Sequence, residues 1–246
     1  MGFNNELLAA TKKLSQRFKV VLVKNKKEAK EIALKLIPLH STIGVANSVT
    51  VRQVGVLEAL KQRGDYLVDP ISPLYEPSSE FDLKENMELM RKSLETDVFI
   101  SGTNAITEDG KLVNIDGLGN RVAGLIWAKG KVLIIVGRNK ISGNVDDAIK
   151  RAKMIVPVLA KRRGTGLDLP CVKAGKCVDC YKPHCNIILI LEKTPVDKDI
   201  TIIMVDEDLG LGWNPEWPND RIEQIKRNYE PFDWIYNTKM KQFMKE

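Results

Sequence analysis

The sequence predicts an α/β fold: a mainly parallel sheet flanked by helices, with a β-hairpin and a cysteine-loop insertion. Three observations predict it. Short apolar runs rich in β-branched residues, such as TIGVA (42–46), DVFISG (97–102) and KVLIIVG (131–137), alternate with stretches of helical spacing. Asp109-Gly110 sits between alternating residues in 106–116, which is a hairpin signal. All four cysteines fall in one segment, 170–186, leaving the alternating frame on either side of it intact.

Taken in order, residues 4–16 read as an amphipathic helix and FKVVLV (18–23) as a strand. KNKKEAKEIALKLI (24–37) has apolar residues at helical spacing, and TIGVA (42–46) is again a strand. SVTVRQVGVLEALKQRG (48–64) reads as one helix ending at Gly64, followed by the short strand YLVD (66–69). Residues 70–80, with three Pro and three Ser, form a surface connection. A helix over 81–95 leads into the strand at 97–102. After the hairpin and KVLIIVG, residues 144–162 read as a helix broken near Pro157. NIILILEK (186–193) and TIIMVD (201–206) are two further strands, and a Trp-rich loop precedes a helix near 217–229. There is no internal repeat and no clean linker, so one domain over 1–246 with a four-cysteine insertion at 170–186 is the simplest organisation.

The composition excludes several classes. A chain of 246 residues with 43% hydrophobic residues can bury a core and is not a disordered chain. No apolar run reaches the roughly 18–20 residues that span a bilayer. The opening MGFNNELLAATKKLSQ lacks the apolar stretch of a signal peptide, so the expected location is the cytoplasm. The net charge of +6 comes without clustered Arg and aromatics, so no nucleic-acid partner is expected.

Ligands of open α/β sheets bind beyond the carboxyl ends of the strands. Strand 42–46 runs into Asn47-Ser48-Val49-Thr50, where Ser48 either caps a helix or helps hold an anion, with Arg52 one turn on. Strand 97–102 runs into Gly102-Thr103-Asn104. Gly102 allows close backbone approach, and Asn104 or Thr107 can donate to a ligand or close an Asx-type turn. Strand 131–137 runs into Arg138-Asn139-Lys140, a cationic strand end. In Asp116-Gly117-Leu118-Gly119-Asn120-Arg121, Asp116 can serve as general base or acceptor, and the alternative is a second turn. This loop lacks the third glycine of a dinucleotide fingerprint. The segment 206–218, with three acids and two Trp, reads either as a lid or as a loop packed on the domain edge. His40, one of only two histidines, reads as structural.

The cysteines read Cys171-x5-Cys177-x2-Cys180-x4-Cys185. Four thiolates this close can converge on one metal centre. The compact run is like those that hold iron–sulfur clusters, although its spacing differs from the ferredoxin patterns. Structural zinc, which usually uses paired knuckles, and metal-free thiols are the alternatives. His184 can replace one thiolate, and Lys173, Lys176 and Lys182 offset thiolate charge.

GVANSVTVRQVG (44–55), ISGTNAITEDGKLVNIDGLGNRVAGLIWAKGKVLIIVGRNKI (100–141), PCVKAGKCVDCYKPHCN (170–186) and EDLGLGWNPEWPNDRIEQI (207–225) together resemble the lactate-utilisation, or LUD, domain family, in the branch that carries a four-cysteine segment. The resemblance covers about residues 5–230. It implies a fold related to the sugar-phosphate isomerase and CoA-transferase group. It also implies pocket positions at Asn47, Ser48, Thr50, Gly102, Asn104, Asp116, Gly119, Asn120, Arg121 and Lys140. Of these, Asn47, Ser48, Thr50 and Lys140 are the expected anion holders, and Asp116 with Asn120 the ligand-orienting groups. Some family members oxidise L-lactate in multi-subunit systems with iron–sulfur partner proteins. That implies an oxidoreductase component acting on a small carboxylate, with a [4Fe-4S] cluster on Cys171, Cys177, Cys180 and Cys185. The competing reading is a non-redox module that binds a small phosphosugar or acyl anion and carries zinc. An isomerase or transferase with Asp116 as its catalytic base is a third.

Overall fold

The computed structural model describes residues 2–75, 82–162, 168–182 and 185–233. Helix α1 (Asn5–Leu14) leads into β1 (Lys19–Val23), α2 (Lys26–Leu36) and β2 (Thr42–Val45). Then come α3 (Val49–Val54), α4 (Val56–Arg63), β3 (Tyr66–Val68), α5 (Leu83–Lys92) and β4 (Val98–Ser101). The middle of the chain forms β5 (Ala105–Thr107), β6 (Leu112–Asp116), α6 (Asn120–Trp127), β7 (Lys131–Gly137) and β8 (Ile141–Ser142). Helices α7 (Val145–Arg162) and α8 (Pro170–Ala174) precede β9 (Ile187–Leu191), β10 (Ile200–Val205) and α9 (Asn219–Tyr229).

Six strands form one wholly parallel sheet in the order β1-β10-β7-β4-β2-β3. The fold is therefore α/β, with a mainly parallel sheet flanked by helices. Its central strands are buried on both faces, which is why KVLIIVG and ITIIMV read as nearly continuous apolar runs. Val132, Ile134, Val136, Ile202 and Met204 pack on one side with α1 and Leu125 of α6. Leu133, Ile135, Ile203 and Val205 pack on the other with α2, α3 and α4.

The hairpin at Asp109-Gly110 forms as expected, with β5 antiparallel to β6 and Gly110 at φ 87°. It is more than an insertion. It nucleates a second, four-stranded sheet in the order β8-β5-β6-β9. The strand expected at 186–193 joins this sheet, antiparallel to β6, and stays out of the parallel one. Ile106, Leu112, Ile141 and Leu191 of the small sheet complete the core that α1 covers.

Three sequence expectations change. The helix expected over 48–64 is two helices, because Gly55 takes the left-handed conformation (φ 70°) and ends α3. The segment read as a loop at 116–121 opens α6, which is absent from the sequence reading. The break expected at Pro157 does not occur, and α7 runs through it with Pro157 buried. One lost backbone bond is offset there by packing of a long apolar face.

Candidate functional site

In the parallel sheet, the chain leaving β2 goes on to β3 on one side and the chain leaving β4 goes on to β7 on the other, so the order of connection reverses between β2 and β4. That reversal is where such sheets bind ligands. The chain leaving β2 supplies Asn47, Ser48 and Thr50. The chain leaving β4 supplies Gly102 and Asn104, and the chain leaving β7 supplies Lys140. The two nearest ends touch: a Cβ on Gly102 would stand 2.5 Å from Ser48 Oγ. A side chain there would have to displace the Ser48 hydroxyl.

Lys140 defines the site. It is 8% exposed, and among the described residues it makes no ion pair and no side-chain hydrogen bond. Burial holds its amine well below the ordinary lysine value, and the charges of Arg151 and Arg121 push the same way. Arg151 Nη1 donates to the Asn104 carbonyl at 2.5 Å and Nη2 to the Asn139 carbonyl at 2.7 Å. Its own burial lowers its pKa to about 10. Arg121 Nη2 donates to the Ile115 carbonyl at 2.6 Å. Lys140 and Arg151 thus meet in one buried place, and among the described residues the acceptors recorded for Arg151 are backbone carbonyls. Thr50 is buried beside them, since the position of a Cβ on Gly210 lies 2.7 Å from Thr50 Oγ1 and 3.2 Å from Lys140 Nζ.

Other expected residues have structural work. Ser48 caps α3, accepting from Val51 N–H at 3.4 Å, as the capping alternative holds. The Asn47 Oδ1 is buried without a hydrogen-bond partner. Asn104 Oδ1 accepts from Ile115 N–H, tying the entry of β5 to β6. Thr107 lies in the hairpin instead, where its hydroxyl donates to Asp109 at 2.5 Å. Asp116 Oδ2 accepts from the N–H groups of Arg121 and Val122, both at 3.1 Å, and so supplies the acidic cap of α6 that Gly119 cannot. Gly119 and Asn120 open that helix, with Gly119 at φ 87°. Arg52 turns away from the site: it donates to both carboxylate oxygens of Asp69 at 2.9 Å and stacks over Tyr75. His40 is exposed in a left-handed turn (φ 60°).

In the 206–218 segment the edge-packing reading holds for Trp213. Trp213 packs with Ile155, Ile222, Ile225 and Tyr229, while Gly210 covers Lys140. The loop is anchored from several sides. Arg138 pairs with Asp206 and Asp208, and Arg221 pairs with Asp208. Asn139 holds Gly212 O and Leu209 N–H, and Gly210 N–H donates to Gln53 Oε1.

Arg151 is the member that sequence reading passed over. Its signal was position. It lies three residues after Ala148 and four before Ile155, on the buried stripe of α7, where a solvated arginine has no place. Gly210 carried no signal of its own.

Cys171, Cys177, Cys180 and Cys185 line one small cavity of about 70 Å³, together with Lys153 and Val156 of α7, Asp179, Lys182 and Asn186. Cys171 is buried on α8 and packs on Ala160 and Leu169. Burial raises the thiols of Cys171 and Cys185, and the neighbouring cysteines add to both shifts, while Lys153 opposes the one at Cys185. All four are free thiols. Among the described residues, no three His, Cys, Asp or Glu groups stand in metal-holding geometry as they are placed. His184 lies outside the described residues. The cavity and the cationic site share supports: α7 carries Arg151 and Lys153, and Asn186 leads into Ile187, which pairs with Asp116.

The LUD domain model matches residues 8–205. The chain belongs to the LUD domain family. Within that span lie the whole parallel sheet, every cationic residue of the strand-end site and all four cysteines. No curated protein matches this LUD chain in sequence. A crystal structure of a DUF162 family protein from Deinococcus radiodurans overlaps 81% of the chain and 94% of its own, with TM-score 0.42 and 13% identity. Ribose 5-phosphate isomerase A from Neisseria gonorrhoeae overlaps 86% of the chain and 85% of its own, with TM-score 0.32 and 14% identity. At those scores neither overlap carries a functional argument. No helix among the described residues is long and apolar enough to cross a membrane.

Proposed function

We propose that this LUD protein is a cytoplasmic redox component that binds a small carboxylate of the lactate type and holds a [4Fe-4S] cluster on Cys171, Cys177, Cys180 and Cys185. The observation that carries the reading is that Lys140 and Arg151 meet, buried, at the strand ends, with no carboxylate recorded against either among the described residues. Buried cations are ordinarily paired, so this arrangement suits an anion from outside the chain. Asn47, with its unpartnered carbonyl oxygen, and the Thr50 hydroxyl offer polar contacts to a hydroxy acid. Asp116 and Asn120 orient the loop that carries Arg121, with Asp116 acting through the α6 cap.

The thiol set fits a cluster by its chemistry. Four thiols border a cavity, and a multi-iron group occupies a volume between its ligands, whereas zinc draws four sulfurs to about 2.3 Å from one point. Lys153 and Lys182 at the cavity wall offset thiolate charge. When bound, such a cluster supplies one-electron transfer. The chain's own contribution is to hold the thiols beneath α7, the helix that also presents Arg151. Electrons leaving a single centre need an acceptor, which gives an iron–sulfur partner protein its place in this reading.

Anaerobic purification tests it. The expected result is a brown protein with about four iron and four sulfide per chain and saturable binding of L-lactate or pyruvate that is lost in Lys140→Met. A colourless protein with about one zinc per chain overturns the redox part. Absence of any small-carboxylate binding overturns the pocket.

A further inference from the structure

A bare sheet edge is a template for another strand, and proteins blunt theirs with short strands, lysine, proline or bulges. The two sheets end on β1, β3, β8 and β9. Strands β3 and β8 are three and two residues long, and β1 opens with the exposed Lys19. Strand β9 has none of these devices. Its five residues, IILIL, are all apolar. Among the described residues, no backbone hydrogen bond is recorded on its side away from β6. Ile188 and Ile190 are 42% and 41% exposed. They stand opposite Ile115 and Val113, so they lie on the face that α7 covers, while Leu189 and Leu191 pack into the core under α1.

We propose that β9 pairs antiparallel with the same strand of a second copy of this chain, joining two four-stranded sheets into one of eight strands. The register centred on Leu189 is the one antiparallel register that sets every residue of the strand against an apolar residue of the other copy. Ile188 then stands opposite the partner's Ile190, and Ile190 opposite the partner's Ile188. Opposite residues share a face, so the four isoleucines cover one another between the two α7 helices. Charge complementarity favours a second copy as the occupant. Along the same register Glu192, exposed and 3.6 Å from Lys111, comes opposite the partner's Asn186. In each copy Asn186 lines the cysteine cavity together with Lys153 and Lys182. The strand thus has an acid beyond one end and lysines beside the other. A two-fold axis through Leu189 brings each acid to the other copy's basic wall, twice over. The pairing depends on neither the ligand nor the metal of the sites above.

The test is sedimentation of the full chain across micromolar concentrations, with hydrogen exchange on the same samples. The expected result is a concentration-dependent dimer in which the outward amides of β9 exchange slowly, and more quickly on dilution. Ile188→Lys combined with Ile190→Lys sets lysine against lysine and should give a monomer with unchanged circular dichroism, because both positions are partly exposed in the single chain. Ile188→Glu combined with Ile190→Glu should also be monomeric alone. Mixing the two double variants should restore a dimer, since lysines then face acids. Glu192→Lys should raise the dissociation constant of the dimer by about two- to tenfold. If a double variant does not fold, hydrogen exchange on the unaltered dimer still locates the interface. A chain that stays monomeric overturns the proposal. So does a dimer whose β9 amides gain no protection, or one that both double variants leave intact.

Discussion

Gly210 lies directly over the amine of Lys140: a Cβ at that position would stand 3.2 Å from Nζ and 2.7 Å from Thr50 Oγ1. Two segments far apart in the chain are thereby fitted to each other at the site. Gly210 also holds a left-handed backbone (φ 67°), and Gln53 fixes its N–H. Gly210→Ala should cost about 1 kcal/mol from the backbone. It should weaken lactate or pyruvate binding beyond what that loss explains, because the methyl group displaces Thr50 and Lys140. Thermal melts beside calorimetric titrations measure the two effects separately.

Lys140 gives a pH signature. Its folded value lies below the ordinary 10.5 that it regains on unfolding. Between those values the unfolded chain binds the extra proton, so the folded state carries a penalty. That penalty is full below the folded value and shrinks as pH rises toward 10.5. Lys140→Met removes it and should stabilise the protein by at least about 1 kcal/mol at neutral pH, with a smaller gain at alkaline pH. Binding of an anion that pairs with the ammonium should weaken as pH rises through the folded value. Melts of both proteins across pH, with titrations of the parent, check both signs.

Asp208 holds the loop down through Arg138 and Arg221, at 3.0 Å and 2.8 Å, with its side chain 13% exposed. Burial raises its carboxyl, but the hydrogen bonds from Arg221 and Arg138 outweigh that and hold it below the ordinary value of 3.8. Its stabilising effect is therefore present above pH 3.8 and lost as pH falls through the depressed value. Asp208→Asn should cost about 1–2 kcal/mol at neutral pH, after allowance for the partial solvent screening of these arginines. The difference between variant and parent should close in acid, as read by urea melts at neutral and acid pH.

The cysteine cavity lies outside both sheets, between α7, α8 and the start of β9. Cys177→Ser and Cys180→Ser should therefore abolish iron and sulfide content while leaving the far-ultraviolet circular dichroism of the sheets and helices unchanged. Metal analysis and dichroism on the same anaerobic preparation check this.

Much of the fold was legible because its signals are local. KVLIIVG forms a strand buried on both faces, so the requirement for apolar residues falls on every position. The Asp109-Gly110 turn needs only a left-handed glycine between two short strands. Helix α6 was missed because NRVAGLIW follows a glycine-rich turn, and its N-terminal cap comes from Asp116 at the end of the preceding strand. The split at Gly55 was missed because a glycine inside a helical pattern is often tolerated. At the site, the strand ends and Lys140 could be named from sequence. Arg151 could not, since a charge in an amphipathic helix reads as solvated until its burial is known.

By itself, the sequence determined the alternation of strands and helices, the hairpin and the clustering of four cysteines. Each follows from side-chain periodicity or chain proximity. Tertiary structure alone decided that 187–191 joins the second sheet, that Gly210 covers Lys140, and that Arg151 and Arg121 share its surroundings. The physical reason is that periodicity fixes which face a residue occupies, while the charge state and reactivity of an amine depend on what distant segments bring within a few ångströms and on how much water they exclude.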